Sequence, residues 1–293
     1  MSARARLGLL LLWLCAVPAG AVPLWSVSSA TADGSGELLL LGSVHLLRPE
    51  DQPLPKAIAC AYERAERIVM ELHPEALSES AAQAVFERIG IRDEERSTRA
   101  LLGEEEWQEA EALAQAAGVS LRSVDRLEPW FAALALYNAR LAAAGYDAAL
   151  GVDQQLANWA HRDGRPTAGL ESLEEQLLLF KELDLEAQRE LFMTTLQELG
   201  TVAADTALLV AAWRVGDTAV LEAQLERDFA GYEPVRERLV EGRNRAWLAD
   251  IEALLDEPGV SLVVVGALHL VGPEGLPALL ESRGHQVRRV AEP

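Results

Sequence analysis

The sequence writes one phrase twice. LLLLGSVHLLRPED (38–51) and LVVVGALHLVGPEG (262–275) both read four apolar residues, Gly, two residues, His, Leu, an apolar residue, one more residue, Pro and Glu. The two histidines, His45 and His269, lie 224 residues apart. Four consecutive apolar residues without a helical stripe describe a strand covered on both faces, and the Gly after them lets the chain turn or lets a ligand approach. Each His then sits just past the carboxyl end of a buried strand, the edge where ligands and catalytic groups gather in open α/β sheets. If the two strands are neighbours, His45 and His269 meet at one mouth. The Pro-Glu after each His suits the start of a helix. A lone His after a strand is usually a hydrogen-bonded turn residue, but two in the same written context point to a shared functional site.

A third residue joins them. IVMEL (68–72) is another short apolar run, and Glu71 stands at its end. Burying a lone carboxylate costs several kcal/mol, so a partner has to satisfy it. Two imidazoles and a carboxylate form a ligand set for a catalytic divalent metal, with positions left for water and substrate. Glu71 can also be read as an unligated base beside the histidines. His73 falls on the same side of an extended strand, but Pro74 and Glu75 take the chain out of the sheet there.

Along the rest of the chain, strands and helices alternate at both ends. LWSVSSA and ELLLLGSVH are predicted as a strand pair around Thr-Ala-Asp-Gly-Ser-Gly. Residues 54–68 have helical spacing, as do EEEWQEAEALAQAAG (104–118), PWFAALALYNARLAAAG (129–145) and GVDQQLANWAHRDG (151–164). VSLRSVD (119–125) and RPTAGLE (165–171) are predicted as short strands. From 172 to about 256 only helical spacing occurs, broken at Gly200, Gly216 and 231–234. SLVVVGALHL (261–270) is then a buried strand, GLPALLESRG (275–284) a helix and HQVRRV (285–290) a last strand. The expected fold is α/β with α+β character: a central mixed sheet built from the N- and C-terminal thirds, with a large helical insertion between them. No Pro-, Gly- or Ser-rich linker divides residues 22–293, which are expected to form one domain with a helical subregion at about 172–256.

Residues 1–21 read as a cleaved secretory signal. Arg4 and Arg6 precede an apolar run too short to span a bilayer, and Ala19-Gly20-Ala21 offers a cleavage site. Export to the periplasm or medium follows as an expectation. Lipidation at Cys15 is disfavoured by Trp13 and Leu14, because small residues belong there. Cys60 is then the one cysteine left, expected as a small buried hydrophobe on the apolar side of a helix. No second stretch is long and apolar enough for a membrane helix. The 26 Lys and Arg against 46 Asp and Glu give a formal net charge of −20, which disfavours nucleic acid as a partner. The signatures H-E-x-x-H, G-x-S-x-G, G-x-x-x-x-G-K and C-x-x-C are all absent. Self-association stays open.

By residue type alone, Asp153 reads as a helix N-terminal residue, Glu171 as a strand end like Glu71, and Arg243 and Asn244 as part of a solvated helix face. A resemblance changes their standing. The chain resembles the TraB/PrgY/GumN family, whose relatives include the TIKI proteases and, more distantly, erythromycin esterases and ChaN-like proteins. The resemblance rests on LLGSVHLLRPEDQPLP, VMEL, GVDQQL, AGLESLEEQL, EGRNRAW and VVVGALHLVGPEGLPALLESRGHQV, and covers most of the chain. It implies an exported metal-dependent hydrolase of peptide or amide bonds, with manganese, cobalt or zinc as the ion. His45, Glu71 and His269 would be its metal and catalytic set. Ser43, Asp153, Glu171, Arg243 and Asn244 would support that set or contact a peptide or small-molecule substrate, Arg243 as a planar fork for a carboxylate or oxyanion. The alternatives are a metal-independent esterase-like hydrolase and a non-catalytic protein that binds a peptide or haem.

Overall fold

The computed structural model describes residues 22–29, 36–77, 79–89 and 97–291. The predicted signal (1–21) and the turn between the first two strands (30–35) lie outside the described residues. The order begins with β1 (Leu24–Ser28), β2 (Gly36–Ser43), α1 (Lys56–Arg64) and β3 (Arg67–Leu72). Four helices follow: α2 (Glu79–Ile89), α3 (Thr98–Ala116), α4 (Pro129–Ala143) and α5 (Val152–Asp163). After β4 (Thr167–Glu171) come α6 (Leu173–Lys181), α7 (Leu185–Glu198), α8 (Val202–Arg214), α9 (Thr218–Asp228), α10 (Glu233–Arg236) and α11 (Gly242–Asp256). The chain closes with β5 (Gly259–Gly266), α12 (Leu276–Ser282) and β6 (Gln286–Arg289).

The six strands form one mixed sheet in the order β4-β3-β5-β2-β1-β6. β4, β3, β5 and β2 run parallel, and β1 is antiparallel to both β2 and β6. The two written-alike strands are therefore neighbours, the condition on which His45 and His269 meet at one mouth, and β3 flanks β5 on the other side. Alternation across the pleat sends Leu39, Leu41, Ile68, Met70, Leu262 and Val264 to one face, under α1, α5 and α8. Leu38, Leu40, Val69, Val263 and Val265 fill the other, under α11 and α12. Both faces are covered, which is why these strands are written as unbroken apolar runs. The intervening helices have apolar clusters of their own, one of α3, α4 and α7 around Trp107 and Phe192, another around Trp130.

Among the described residues four helices stand between β3 and β4, three of them where the spacing put them at 104–118, 129–145 and 151–164, ahead of the block from residue 172. The breaks at Gly200 and Gly216 fall between α7, α8 and α9, and the one at 231–234 runs from the α9–α10 connection into the first residues of α10, with Gly216 at φ 65° and Gly231 at φ 83°.

Three expectations need correction. VSLRSVD is not a strand: Leu121–Ser123 is a 3-10 turn, and Leu121 and Val124, three apart, pack into the helical cluster as turn residues do. β5 stops at Gly266, and His269 lies in a 3-10 turn, Ala267–Leu270, rather than in an extended strand. Cys60 is exposed, because α1 buries the stripe Ala57, Ile58, Ala61 and Tyr62 and leaves position 60 on the outer side.

Candidate functional site

Parallel pairing brings four strand ends to one edge. Ser43 of β2 pairs with Gly266 of β5, Met70 of β3 with Val264 of β5, and Leu72 of β3 with Glu171 of β4. The two phrases are staggered by one residue, since Gly42 pairs with Val265 rather than with Gly266. Their glycines consequently do different work. A Cβ on Gly42 would lie 3.0 Å from Ala267 Cα and 3.0 Å from Pro23 Cβ, so Gly42 lets Pro23 and the Ala267–Leu270 turn pack closely against β2. A Cβ on Gly266 would lie in the gap between the site groups: 3.5 Å from Glu71 Oε2, 3.5 Å from His269 Cδ2 and 3.7 Å from His45 Nε2. His45, Glu71 and His269 thus surround one small space, as the duplicated phrase suggested.

Each histidine is tied down through Nδ1, by different partners. His45 Nδ1 donates to Asp153 Oδ2 at 2.8 Å, and Ser43 Oγ donates to Asp153 Oδ1 at 2.8 Å. Asp153 is not the N-cap of α5. That place belongs to Gly151, whose added Cβ would stand 2.1 Å from the His45 carbonyl oxygen. The helix start is thus pressed against the His45 backbone, and its first turn favours the Asp153 carboxylate. The charge of Asp153 raises the His45 pKa to about 9 against the opposing effect of burial, and Glu71 adds to the rise. With 61 % of the side chain open, water screens part of that attraction.

His269 is buried. Its Nδ1–H donates to Asn244 Oδ1 at 2.7 Å, so Nε2 carries the lone pair and accepts from Arg243 Nη1 at 3.1 Å. Asn244, fully buried, also donates to the His269 and Glu274 carbonyls at 3.3 and 2.7 Å and so fixes the turn. Burial, chiefly, lowers the His269 pKa to about 4. The two imidazoles of the repeated phrase are therefore shifted in opposite directions, His45 upward and His269 downward, and are not a symmetric pair.

Glu71 accepts from the Gly266 N–H at 2.9 Å, from Gln176 Nε2 at 2.6 Å and from Arg243. Burial opposes its ionisation, but His269, Arg243, His45 and the Gly266 N–H together hold its pKa down at about 2. Arg243 also forks onto Glu171, with Nε to Oε2 at 3.2 Å and Nη2 to Oε1, and Nη1 donates to the Leu239 carbonyl at 3.0 Å. Its guanidinium lies 4.7 Å over the Trp247 ring, which itself packs against His269.

The reading of Arg243 and Asn244 as a solvated helix face is overturned. A π-helical turn, Glu237–Glu241, precedes α11 and carries the Leu239 carbonyl that receives Arg243, and both residues face the sheet. His73 stays outside the site: its ring is half exposed and accepts the Glu75 N–H. Sequence reasoning missed Gln176 and Trp247. Gln176 is aimed by a capping box, in which Ser172 Oγ accepts from Glu175 N and the Glu175 carboxylate accepts from Ser172 N. The S-x-x-E spacing at the end of β4 was a signal for that helix start. A cavity of about 240 Å³ adjoins the trio, lined by His45, Met70, Glu71, Leu72, Ala148, Asp153, Gln154 and Gln176.

The donor set suits a divalent ion in type. Both imidazoles have the outer nitrogen bonded to a carboxylate or amide oxygen and the inner edge toward a carboxylate, the arrangement that orients metal-binding histidines. Among the described residues, however, no three ligating side chains already stand at metal-holding separations. Arg243 occupies the inner atoms of Glu71 and His269.

The model of the TraB/PrgY/gumN family matches residues 23–289. The "Uncharacterized protein YbaP" of Escherichia coli (strain K12) is 26% identical over 258 residues, 87% of this chain and 92% of the relative. An "Uncharacterized protein" of Treponema pallidum (strain Nichols) is 23% identical over 261 residues, 85% of this chain and 78% of the relative. No solved structure matches.

Proposed function

We propose, from the premise that this chain belongs to the TraB/PrgY/gumN family, that it is an exported hydrolase of peptide or amide bonds. Its cleft would take a divalent ion (manganese, cobalt or zinc) between His45, Glu71 and His269. The observation that carries this reading is the convergence of two Nδ1-anchored imidazoles and one ionised carboxylate on the single gap that a Cβ of Gly266 would fill. When bound there, such an ion supplies Lewis-acid polarisation and a low-pKa water. The chain's own groups supply the rest. Asp153 orients His45 so that Nε2 faces the gap, where it can ligate once its proton is lost or hand that proton to a leaving group. Arg243 offers a fixed positive charge for an oxyanion or a substrate carboxylate. The apolar run after Arg4 and Arg6, read as a secretory signal, and the resemblance to the TIKI peptidases support this reading.

One observation favours a second reading. Arg243 already donates to the lone pair of His269, so a metal-independent hydrolase would take the water's proton on His45 or His269, assisted by Glu71, with Arg243 beside the oxyanion. Elemental analysis of the purified protein, after exposure to each ion, separates the two. The first reading expects about one ion per chain, lost in His45→Ala and Glu71→Ala, and hydrolysis of a peptide library that stops on chelation. No uptake of any of the three ions removes the metal. Turnover that survives chelation supports the second reading, and peptide binding without turnover removes both.

A further inference from the structure

Arg243 holds two sets of acceptors at once. On one side it forks onto both oxygens of Glu171. On the other it caps Glu71 Oε1 and the lone pair of His269 Nε2, two donor atoms that a cation would need. A nitrogen lone pair engaged by an N–H cannot also bind an ion, and a guanidinium in that position repels one. Glu171 lies at the end of β4, beyond Glu71 on β3, and is not part of the trio around Gly266. We infer that Arg243 is a displaceable internal cation: in the ion-free chain it occupies the inner atoms of Glu71 and His269, and a divalent ion enters by driving it back onto Glu171. This rests on the metal reading above.

Three features suit the displacement. Glu171 presents a complete bidentate partner, so the charge of Arg243 stays paired after it leaves the trio. Nε and Nη2 are already bonded to Glu171, and Nη1 keeps the Leu239 carbonyl as an acceptor once it leaves His269, so a small pivot suffices. Arg243 and Asn244 are adjacent in the chain but differ in role: Asn244 fixes the outer nitrogen of His269, while Arg243 covers the inner one. The imidazole therefore keeps its orientation when Arg243 departs.

The test is calorimetric titration of manganese, and separately of zinc, into the purified protein and its Arg243→Gln, Glu171→Gln and doubly substituted forms. Circular dichroism monitors the fold. Arg243→Gln is expected to bind at least tenfold more tightly than the parent. Glu171→Gln is expected to bind several-fold more weakly, with that loss absent when Arg243 is also replaced. A crystal structure of the manganese-loaded parent supplies the second measurement, expected to show Arg243 on Glu171 and off His269 Nε2. Parent binding with an equal or weaker affinity in folded Arg243→Gln overturns the inference and leaves the metal reading standing. So does Arg243 still bonded to His269 in the loaded crystal. No ion in either the parent or Arg243→Gln overturns both.

Discussion

His45 and His269 share a written context but not an electrostatic one, and stability should follow pH accordingly. His269 is depressed to about 4 and Glu71 to about 2, so their contributions are complete above the unfolded values of about 6.5 and 4.5 and fade as pH falls through the folded ones. His45 is raised to about 9, so its contribution is complete below about 6.5 and fades as pH rises through 9. Urea midpoints measured from pH 3 to 10 should therefore peak near pH 6.5, and Asp153→Asn should flatten the alkaline limb; an unchanged alkaline limb would refute the His45–Asp153 assignment. Gly266 makes a second expectation. Its φ of −52° and ψ of 137° suit any L-residue, and an added Cβ meets its neighbours at ordinary contact distance. Gly266→Ala should hold its folding stability within about 1 kcal/mol while losing at least tenfold in ion uptake, as read by calorimetry. At this scale the sequence was a good guide to His45, Glu71 and His269, which follow apolar runs. It was a poor guide to Gln176 and Trp247, whose roles depend on neighbours more than 100 and about 20 residues away.

The elements around the site are joined where backbone meets backbone. Gly151 starts α5 against the carbonyl of His45, and the Val152 N–H donates to the Val44 carbonyl at 3.0 Å. Gly151→Ala would place a Cβ 2.1 Å from that carbonyl and force α5 away from the β2 turn. The expected cost is about 2–3 kcal/mol in urea unfolding, together with a fall of the His45 pKa toward its ordinary value by NMR titration. A Cβ accommodated with neither change would show that the contact does not set the Asp153 position. Element type was legible wherever periodicity was long: the helices from α5 to α9 and the strands β2, β3 and β5 lie near where spacing put them. VSLRSVD failed because three apolar residues in seven suit a turn over a helical cluster as well as a strand, and only the neighbouring α3 and α4 decide between them.

For the whole molecule, the decisive event is the insertion of β5 between β2 and β3. Leu262, Val263, Val264 and Val265 are all fully buried there, roughly 1.5–3 kcal/mol for each side chain. A chain ended at residue 258 removes the middle of the sheet. It should keep helical circular dichroism but lose cooperative urea unfolding, and a retained sharp transition would mean that the helical clusters fold without the sheet. The sequence by itself determined that two buried strands, each closed by Gly and His, stand at opposite ends of an α/β chain, because burial on both faces demands uninterrupted apolar residues. It also singled out Glu71, because a carboxylate closing such a run needs a partner. Only the tertiary structure decided the one-residue stagger between the phrases, the opposite directions in which their histidines are shifted and the placement of Arg243 among Glu71, Glu171 and His269. Those depend on which helix packs against each strand end, and no local pattern records a contact between residues 26 to 172 positions apart.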